Sequence, residues 1–377
     1  MARQPARRYR FIVSLTFLIP MLVCLAAPPV LAAPEQGERG RSPASVVTRE
    51  RSVTEVGAGI YVIRHPDGAD TNPQGNTTVV IGSRDVLVVD SGYLPSSARD
   101  DIAQIRRWTK KPVRYLVNTH WHPDHVRGNA AYAAAFPGLA IIAHETTPEL
   151  ERGFDEPNLA RYRARVETLR HELSTGRAPD GKPLSDTERT EAGADLARRL
   201  PVLREFEGYE PVYPSVTFAD AMTLDLGGRT VQLRHPGRGH TVGDVIAWLP
   251  RERVLIAGDL VTHPVPYFFA GWPYDEIDTL ERLAALDARV IVPGHGQVLH
   301  DRRYLDQTLE LLRSVRAQVV AEVRKRGSLS AKLEDVRRAI DFGAAERRFA
   351  GSDSESVEFF RESMDGLVKT FFYQIAE

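Results

Sequence analysis

Short β-branched runs bounded by Gly, Asp or Ser fill the first half of the chain, and longer stripes at helical spacing fill its end. The runs at 60–63, 78–81 and 86–89 are too short for helices and carry the side chains that suit a pleated surface, so they predict strands. A helix is expected over 96–109, a strand over 113–117, a short helix over 126–136 and a strand over 140–142. The texture changes at 147–206, where Leu159, Tyr162, Val166, Leu169 and Leu173 recur every 3.6 residues with Arg and Glu between them. A turn-rich stretch at 176–183 separates this stripe from a second helical pattern at 196–206. Residues 147–206 therefore predict a helical insertion between strands, either a lid or a helical pair packed on the scaffold. Strands resume at 216–218, 222–226, 230–233, 245–249, 254–256 and 290–292. From 301 to 377 the pattern is helical again, with one stripe through Leu305, Leu309, Leu312, Val315, Val319 and Val323 and another through Val357, Phe360, Met364, Leu367, Phe371 and Ile375. Both stripes read as packing surfaces.

The N-terminus has a different logic. Arg3, Arg7, Arg8 and Arg10 precede an apolar run from Phe11 to Leu25, the layout of a signal peptide. Pro34 disfavours cleavage after Ala33, so the expected cut follows Ala32 and leaves a Pro-, Gly- and Ser-rich leader over 33–50. Pro20 interrupts the apolar run, which argues against an uncleaved anchor. Arg10 stands where a twin-arginine motif wants an apolar residue, and the export route stays open. The expected location is periplasmic or secreted.

Removing residues 1–32 removes four arginines and no acids, so 49 basic and 50 acidic residues become 45 and 50, a formal charge of −5. No long basic run appears, which excludes nucleic acid as the expected partner. The sole cysteine, Cys24, goes with the leader, so the mature chain has no disulfide and no thiolate ligand. A small-molecule substrate fits best, with no stable membrane anchor after processing. Nothing in the pattern sets an oligomeric state.

The chemistry sits in four blocks: His120-Trp121-His122-Pro123-Asp124-His125, Gly239-His240-Thr241, Gly258-Asp259 and Gly294-His295-Gly296. Imidazoles and carboxylates suit zinc or a similar cation. In an extended loop, residues two apart point the same way, so His120 and His122 can share one ion, with His240 as third ligand. Asp124 and His125 can turn to a second ion with His295. Asp259 has an oxygen for each. A His-x-His pair alone is a weak signal; four such blocks, each beside an apolar strand run, are a strong one.

These blocks resemble the metallo-β-lactamase superfamily of metal-dependent hydrolases, and the resemblance runs from about Gly59 to His300. It implies an α/β fold, a four-layer αββα sandwich over residues 51–300 with the helical insertion and the C-terminal helices appended. It also implies His120, His122 and His240 as ligands of one metal, Asp124, His125 and His295 as ligands of another, and Asp259 as a bridge. Asp90, at a strand end, would support the metal loop by hydrogen bonds. The missing cysteine and the presence of Asp259 make the pattern similar to glyoxalase II-type ester and thioester hydrolases. Histidine at 122 departs from the flavin-linked di-iron relatives, which place a carboxylate there.

The implied reaction is hydrolysis of an ester, thioester or amide-like bond using two zinc ions, with Asp124 receiving the proton of the attacking water. Trp121, His263, Tyr267, Phe268, Phe269 and Trp272 are candidates for the substrate pocket. His144 and His235 lie near ligand segments, but lone histidines are more often satisfied polar residues. Three alternatives share the pattern: a mono-iron sulfur dioxygenase, a cysteine-free metallo-β-lactamase, and a non-catalytic metal-binding protein.

Overall fold

Adjacent residues within a strand face opposite ways, and here each face has its own partner. The computed structural model describes residue 48 and residues 50–268, 271–327 and 330–376. The signal peptide expected at 1–32 lies outside the described residues, as does the leader apart from residues 48 and 50.

Seven strands form the first sheet, in the order of the chain: β1 (Ser52–Gly57), β2 (Ile60–Arg64), β3 (Thr77–Ile81), β4 (Val86–Val89), β5 (Val113–Val117), β6 (Ala140–His144) and β7 (Val216–Phe218). The first four pair antiparallel through short connections. From β4 onward the pairing is parallel, and each crossover carries helices. These are α1 (Pro95–Trp108), then α2 (Pro123–Val126) with α3 (Asn129–Ala135), then α4 (Thr147–Thr175) with α5 (Asp186–Glu205). The second sheet takes β8 (Ala221–Asp225), β9 (Thr230–Arg234), β10 (Ile246–Leu249), β11 (Val254–Thr262) and β12 (Val290–His295), in the order β12-β11-β10-β9-β8. Helix α6 (Pro273–Ala284) makes the parallel crossover from β11 to β12.

Val80, Val89 and Val117 of the first sheet meet Ala247, Ile256 and Val292 of the second in one buried core. Their sequence neighbours Val79, Val88 and Leu116 turn the other way, onto Ile102 and Ile105 of α1 and Tyr132 of α3. Trp248, Leu255 and Ile291 likewise turn outward onto α6, α7 (Arg303–Arg326) and α10 (Ser354–Ala376). The result is the expected four-layer αββα sandwich. Each fully buried Val, Leu or Ile in these layers contributes roughly 1.5–3 kcal/mol. Two short helices, α8 (Leu333–Ala339) and α9 (Gly343–Phe349), connect the last two long ones. No helix among the described residues is long and apolar enough to cross a membrane.

The insertion helices are longer than their apolar stripes. Helix α5 begins with a capping box in which Ser185 Oγ accepts from Glu188 N at 3.2 Å and Ser185 N donates to Glu188 Oε2 at 2.8 Å. Leu159, Val202 and Phe206 pack with Tyr93 in a separate small core. Arg127, buried beside the first ligand block, donates to Asp155 Oδ1 at 2.7 Å and to Asn158 Oδ1 at 3.0 Å, both on α4. Tyr93 and Phe206 lie against its guanidinium, at 5.3 and 4.9 Å from their ring centroids.

Two expectations need correction. The helix expected over 126–136 is split into α2 and α3 at Gly128, where a Cβ would overlap the carbonyl of Ser91. The strand expected to stop at 256 continues to Thr262, so Asp259 lies inside β11 rather than at its end. Gly258, at φ +55°, bends that strand beneath Thr119, where any side chain would collide.

Candidate metal centre

All four blocks meet at one edge of the sandwich. The loop after β5 carries His120 and His122, α2 carries Asp124 and His125, the β9–β10 loop carries His240, and β11 and β12 carry Asp259 and His295. Ligand atoms of His120, His122, His240 and Asp259 lie within 4.8 Å of one another, and so do those of Asp124, His125 and His295. His122 Nδ1 stands 3.0 Å from His120 Nε2 and 2.9 Å from His240 Nε2, so three ring nitrogens aim at one point. Asp259 faces both groups: its Oδ2 is 3.5 Å from His240 Nε2 and its Oδ1 is 3.2 Å from His125 Nε2. His295 Nε2 lies 3.0 Å from Asp124 Oδ2 and 3.2 Å from His125 Nε2.

Asp90 orients the site from behind. It directly follows β4 with φ +59°, a conformation that Asp tolerates better than most residues. Its Oδ1 accepts the Thr119 amide at 2.8 Å, and its Oδ2 accepts the Thr119 hydroxyl at 2.8 Å. Having given its proton to Asp90, Thr119 Oγ1 can only accept from His120 Nδ1, 3.0 Å away. His125 Nδ1 donates to Asp90 Oδ2 at 2.9 Å. These partners place a proton on Nδ1 of both rings and turn both Nε2 atoms inward. Thr119 carried no signal of its own in the sequence. Nor did Asn76, whose side chain donates to the carbonyls of Pro293 at 2.8 Å and Gly296 at 3.0 Å and so holds the His295 turn.

The two groups differ in charge. Burial, and then neighbouring imidazoles, hold His120 well below the ordinary histidine range, and burial with His240 lowers His122 to about 3. Burial also lowers His240. These rings are neutral, the form that binds a cation. At the second group, burial opposes charge, yet Asp259, Asp124 and Asp90 raise His125 well above its usual range. Asp259 and Asp124 likewise raise His295 to about 10. Asp124 and Asp259 are depressed well below the carboxylate range, against burial, by His125 and His295. The carboxylates that hold those two protons would hold a divalent cation in the same place. The donor set therefore fits two such ions. Asp259 Oδ1 and His240 Nδ1, both buried, have no hydrogen-bond partner among the described residues.

The pocket candidates separate. Trp121 packs edge-on against His122, with ring centroids 4.2 Å apart, and Tyr267 lies 5.7 Å from His240. His263 donates its backbone N–H to His295 O at 3.1 Å and packs its ring on Tyr304 at 5.0 Å. Trp272 donates its backbone N–H to Gly239 O at 2.8 Å, bracing the His240 loop at the start of α6. Phe268 is a correction: its side chain is buried in the core with residues of α7 and α10, because the segment between β11 and α6 packs under those helices. Phe269 lies outside the described residues. The His144 and His235 rings lie 4.2 Å apart, tilted by 40°, and belong to neither ligand group, with His144 on Thr146 and His235 donating to Asp244 O. Phe154 of α4, which packs on Trp121 at 4.8 Å, escaped the sequence reading.

A family model described as the metallo-beta-lactamase superfamily matches residues 70–295. Among curated proteins, linear primary-alkylsulfatase of a Pseudomonas species is 27% identical over 245 residues, 62% of this chain and 44% of its own. The alpha subunit of 2,4-dinitroanisole O-demethylase from a Nocardioides species is 28% identical over 239 residues, 60% of this chain and 54% of its own. A type 2 metallo-beta-lactamase of Bacillus cereus is 23% identical over 246 residues, 63% of this chain and 73% of its own. The matched stretch spans about half the length of the first two relatives. A solved metallo-beta-lactamase from Pontibacter korlensis shares the fold, with a TM-score of 0.51 at 21% identity over 70% of this chain and 99% of that one. With well over half of its residues matched by the family model, the chain belongs to the metallo-beta-lactamase superfamily.

Proposed function

We propose that the protein is a dinuclear zinc hydrolase that cleaves an ester, thioester or amide-like bond in a small molecule. The observation that carries this reading is Asp259, whose carboxylate lies between the two ligand groups, 3.5 Å from His240 of one and 3.2 and 3.5 Å from His125 and His295 of the other. His120, His122 and His240 would hold one ion, Asp124, His125 and His295 the other, and Asp259 both. Two zinc ions, when bound, lower the pKa of a shared water and polarise the scissile bond. The chain's own part is to fix the donors. Asp90 sets the tautomers of His120 (through Thr119) and His125, and Asn76 holds the turn that presents His295. Asp124, half-exposed where His122 and His295 also reach solvent, is placed to receive the proton of the attacking water. Relatives named as an alkylsulfatase and as a metallo-beta-lactamase support hydrolysis without fixing the bond.

The test is metal content per chain, measured alongside a panel of chromogenic esters, thioesters, sulfate esters and a cephalosporin. About two zinc ions with turnover of one class supports the reading. A single iron with oxygen consumption and no hydrolysis would replace it with the dioxygenase. We also propose export, on the strength of the basic and apolar segments before Ala32. Recovery of a periplasmic or secreted form beginning at Ala33 tests that proposal, and a cytoplasmic chain that retains Arg3 would sink it.

A further inference from the structure

The chain leaves β11 through Thr262-His263-Pro264-Val265-Pro266-Tyr267-Phe268. Two prolines remove two N–H donors, so this stretch cannot extend a sheet ladder and its carbonyls need donors from elsewhere. Two hydroxyls of the C-terminal extension supply them. Tyr304 of α7 shares its O–H between Thr262 O at 2.7 Å and Pro264 O at 3.0 Å. Ser363 of α10, fully buried, donates to Pro266 O at 2.8 Å and accepts from Phe268 N at 2.9 Å. Tyr304 thus grips the residues on either side of His263, and its ring meets the His263 ring at 5.0 Å. His263 in turn donates its backbone N–H to His295 O at 3.1 Å. The two backbones touch: a Cβ built on Gly296 would stand 1.9 Å from His263 O. A displacement of His263 is therefore passed directly to the turn that presents His295.

Resting on the two-metal reading, we propose that Tyr304 is a positioning residue of the metal centre, holding His295 in the second ligand group through residues 262–264. Asn76 fixes the carbonyls of Pro293 and Gly296, and Tyr304, acting through His263, fixes that of His295 between them. The Tyr304 hydroxyl bonds only its two carbonyls among the described residues. Neither belongs to the loops that carry His120, His122 and His240, so its loss should be felt at one ion and not at both. Tyr304 lies outside residues 70–295, whereas every ligand lies within them. The C-terminal extension therefore completes a centre whose ligands all come from the stretch matched by the family model.

The experiment is chelator competition on the full-length chain, which gives the zinc constants of the parent, Tyr304→Phe and Ser363→Ala. The constant lost in His295→Ala identifies the second position. Tyr304→Phe keeps the ring on His263 and removes the hydroxyl alone. It should weaken the second position about tenfold and leave the first within about twofold. Ser363→Ala takes a hydroxyl from the far end of the same segment, so it should lower the melting temperature yet leave both constants within about twofold. Unchanged constants in Tyr304→Phe, an equal loss at both positions, or the same loss at the second position in Ser363→Ala overturns the inference. Should Tyr304→Phe fail to fold by circular dichroism, hydrogen exchange in the parent decides. Exchange of the His263 amide should slow when the second position fills, and an unchanged rate overturns the inference. The hydrolase reading is judged on the parent: two bound zinc ions without turnover count against it and leave the role of Tyr304 standing. A parent that holds a single zinc removes the second position, and this inference with it.

Discussion

Asp90 Oδ2 lies 2.9 Å from His125 Nδ1, and that one contact decides which nitrogen of His125 faces Asp259 and His295. The same carboxylate oxygen receives the Thr119 hydroxyl, which in turn receives His120 Nδ1–H. One buried carboxylate therefore sets a ring in each ligand group. Asp90→Asn keeps the shape but offers an N–H or a weaker acceptor to His125. Zinc affinity should fall about 10- to 100-fold, more at the second position than the first, because His125 touches Asp90 directly and His120 does so through Thr119. Competition with a chromophoric chelator measures both constants. Unchanged affinities would show that the rings are held by packing alone.

Asp259 is the only carboxylate of the described site that faces both groups. Replacing it with Asn removes the charge that balances two cations while keeping the volume. Turnover of the preferred substrate should drop by at least about a hundredfold, and bound zinc should fall from about two per chain towards one. The fold should persist, since Asp259 makes its contacts to ligand side chains and not to a core. A variant that retains full activity with one zinc would remove the bridge from the mechanism.

The sheets and the ligand blocks were legible because both are local signals: β-branched runs and clustered histidines show within a few residues. Helix α6 was missed although Ile277, Leu280 and Leu283 carry helical spacing, because the nearby aromatics drew the reading towards a pocket. Strand β1 was missed for a different reason. It is an edge strand with most residues exposed, Val53 included, so no buried face marks it. Thr119, Asn76, Phe154 and Tyr304 owe their roles to contacts spanning from one to more than two hundred residues, and one sequence does not show which distant segments meet. Phe268 and Tyr267 are neighbours in a row of aromatics, yet one packs into a core and the other lies beside His240.

Arg127 joins the ligand block to the insertion, and both partners of its ion pair with Asp155 are buried. Truncation to Ala leaves Asp155 in place without its cation, which costs about 3–5 kcal/mol for a pair of this kind. Denaturant unfolding should show that loss, and hydrogen exchange in α4 should speed up. Lys at the same position keeps the charge but cannot reach Asp155 and Asn158 with separate N–H groups, so it should recover only part of the stability. A neutral result for Arg127→Ala would mean that the apolar contacts of Leu159 and Phe206 hold the insertion without it.

Glu151 of α4 is 1% exposed, and its Oε2 has no hydrogen-bond partner among the described residues. Burial first, and Asp155 second, push its carboxyl from an ordinary 4.5 up to about 9. The folded protein thus holds this proton more tightly than the unfolded chain does. The associated stability is complete below the unfolded value near 4.5 and is lost progressively as pH rises through about 9. Gln at this position keeps the shape and never ionises. Glu151→Gln should therefore be more stable than the parent by about 1–3 kcal/mol near pH 8 and nearly equal to it near pH 4.5. Guanidinium midpoints measured across that range provide the check, with the variant showing a flatter profile between pH 5 and pH 9. Parallel profiles for the two proteins would mean that Glu151 reaches water or a cation when ionised, and its buried position would not then govern the alkaline loss of stability.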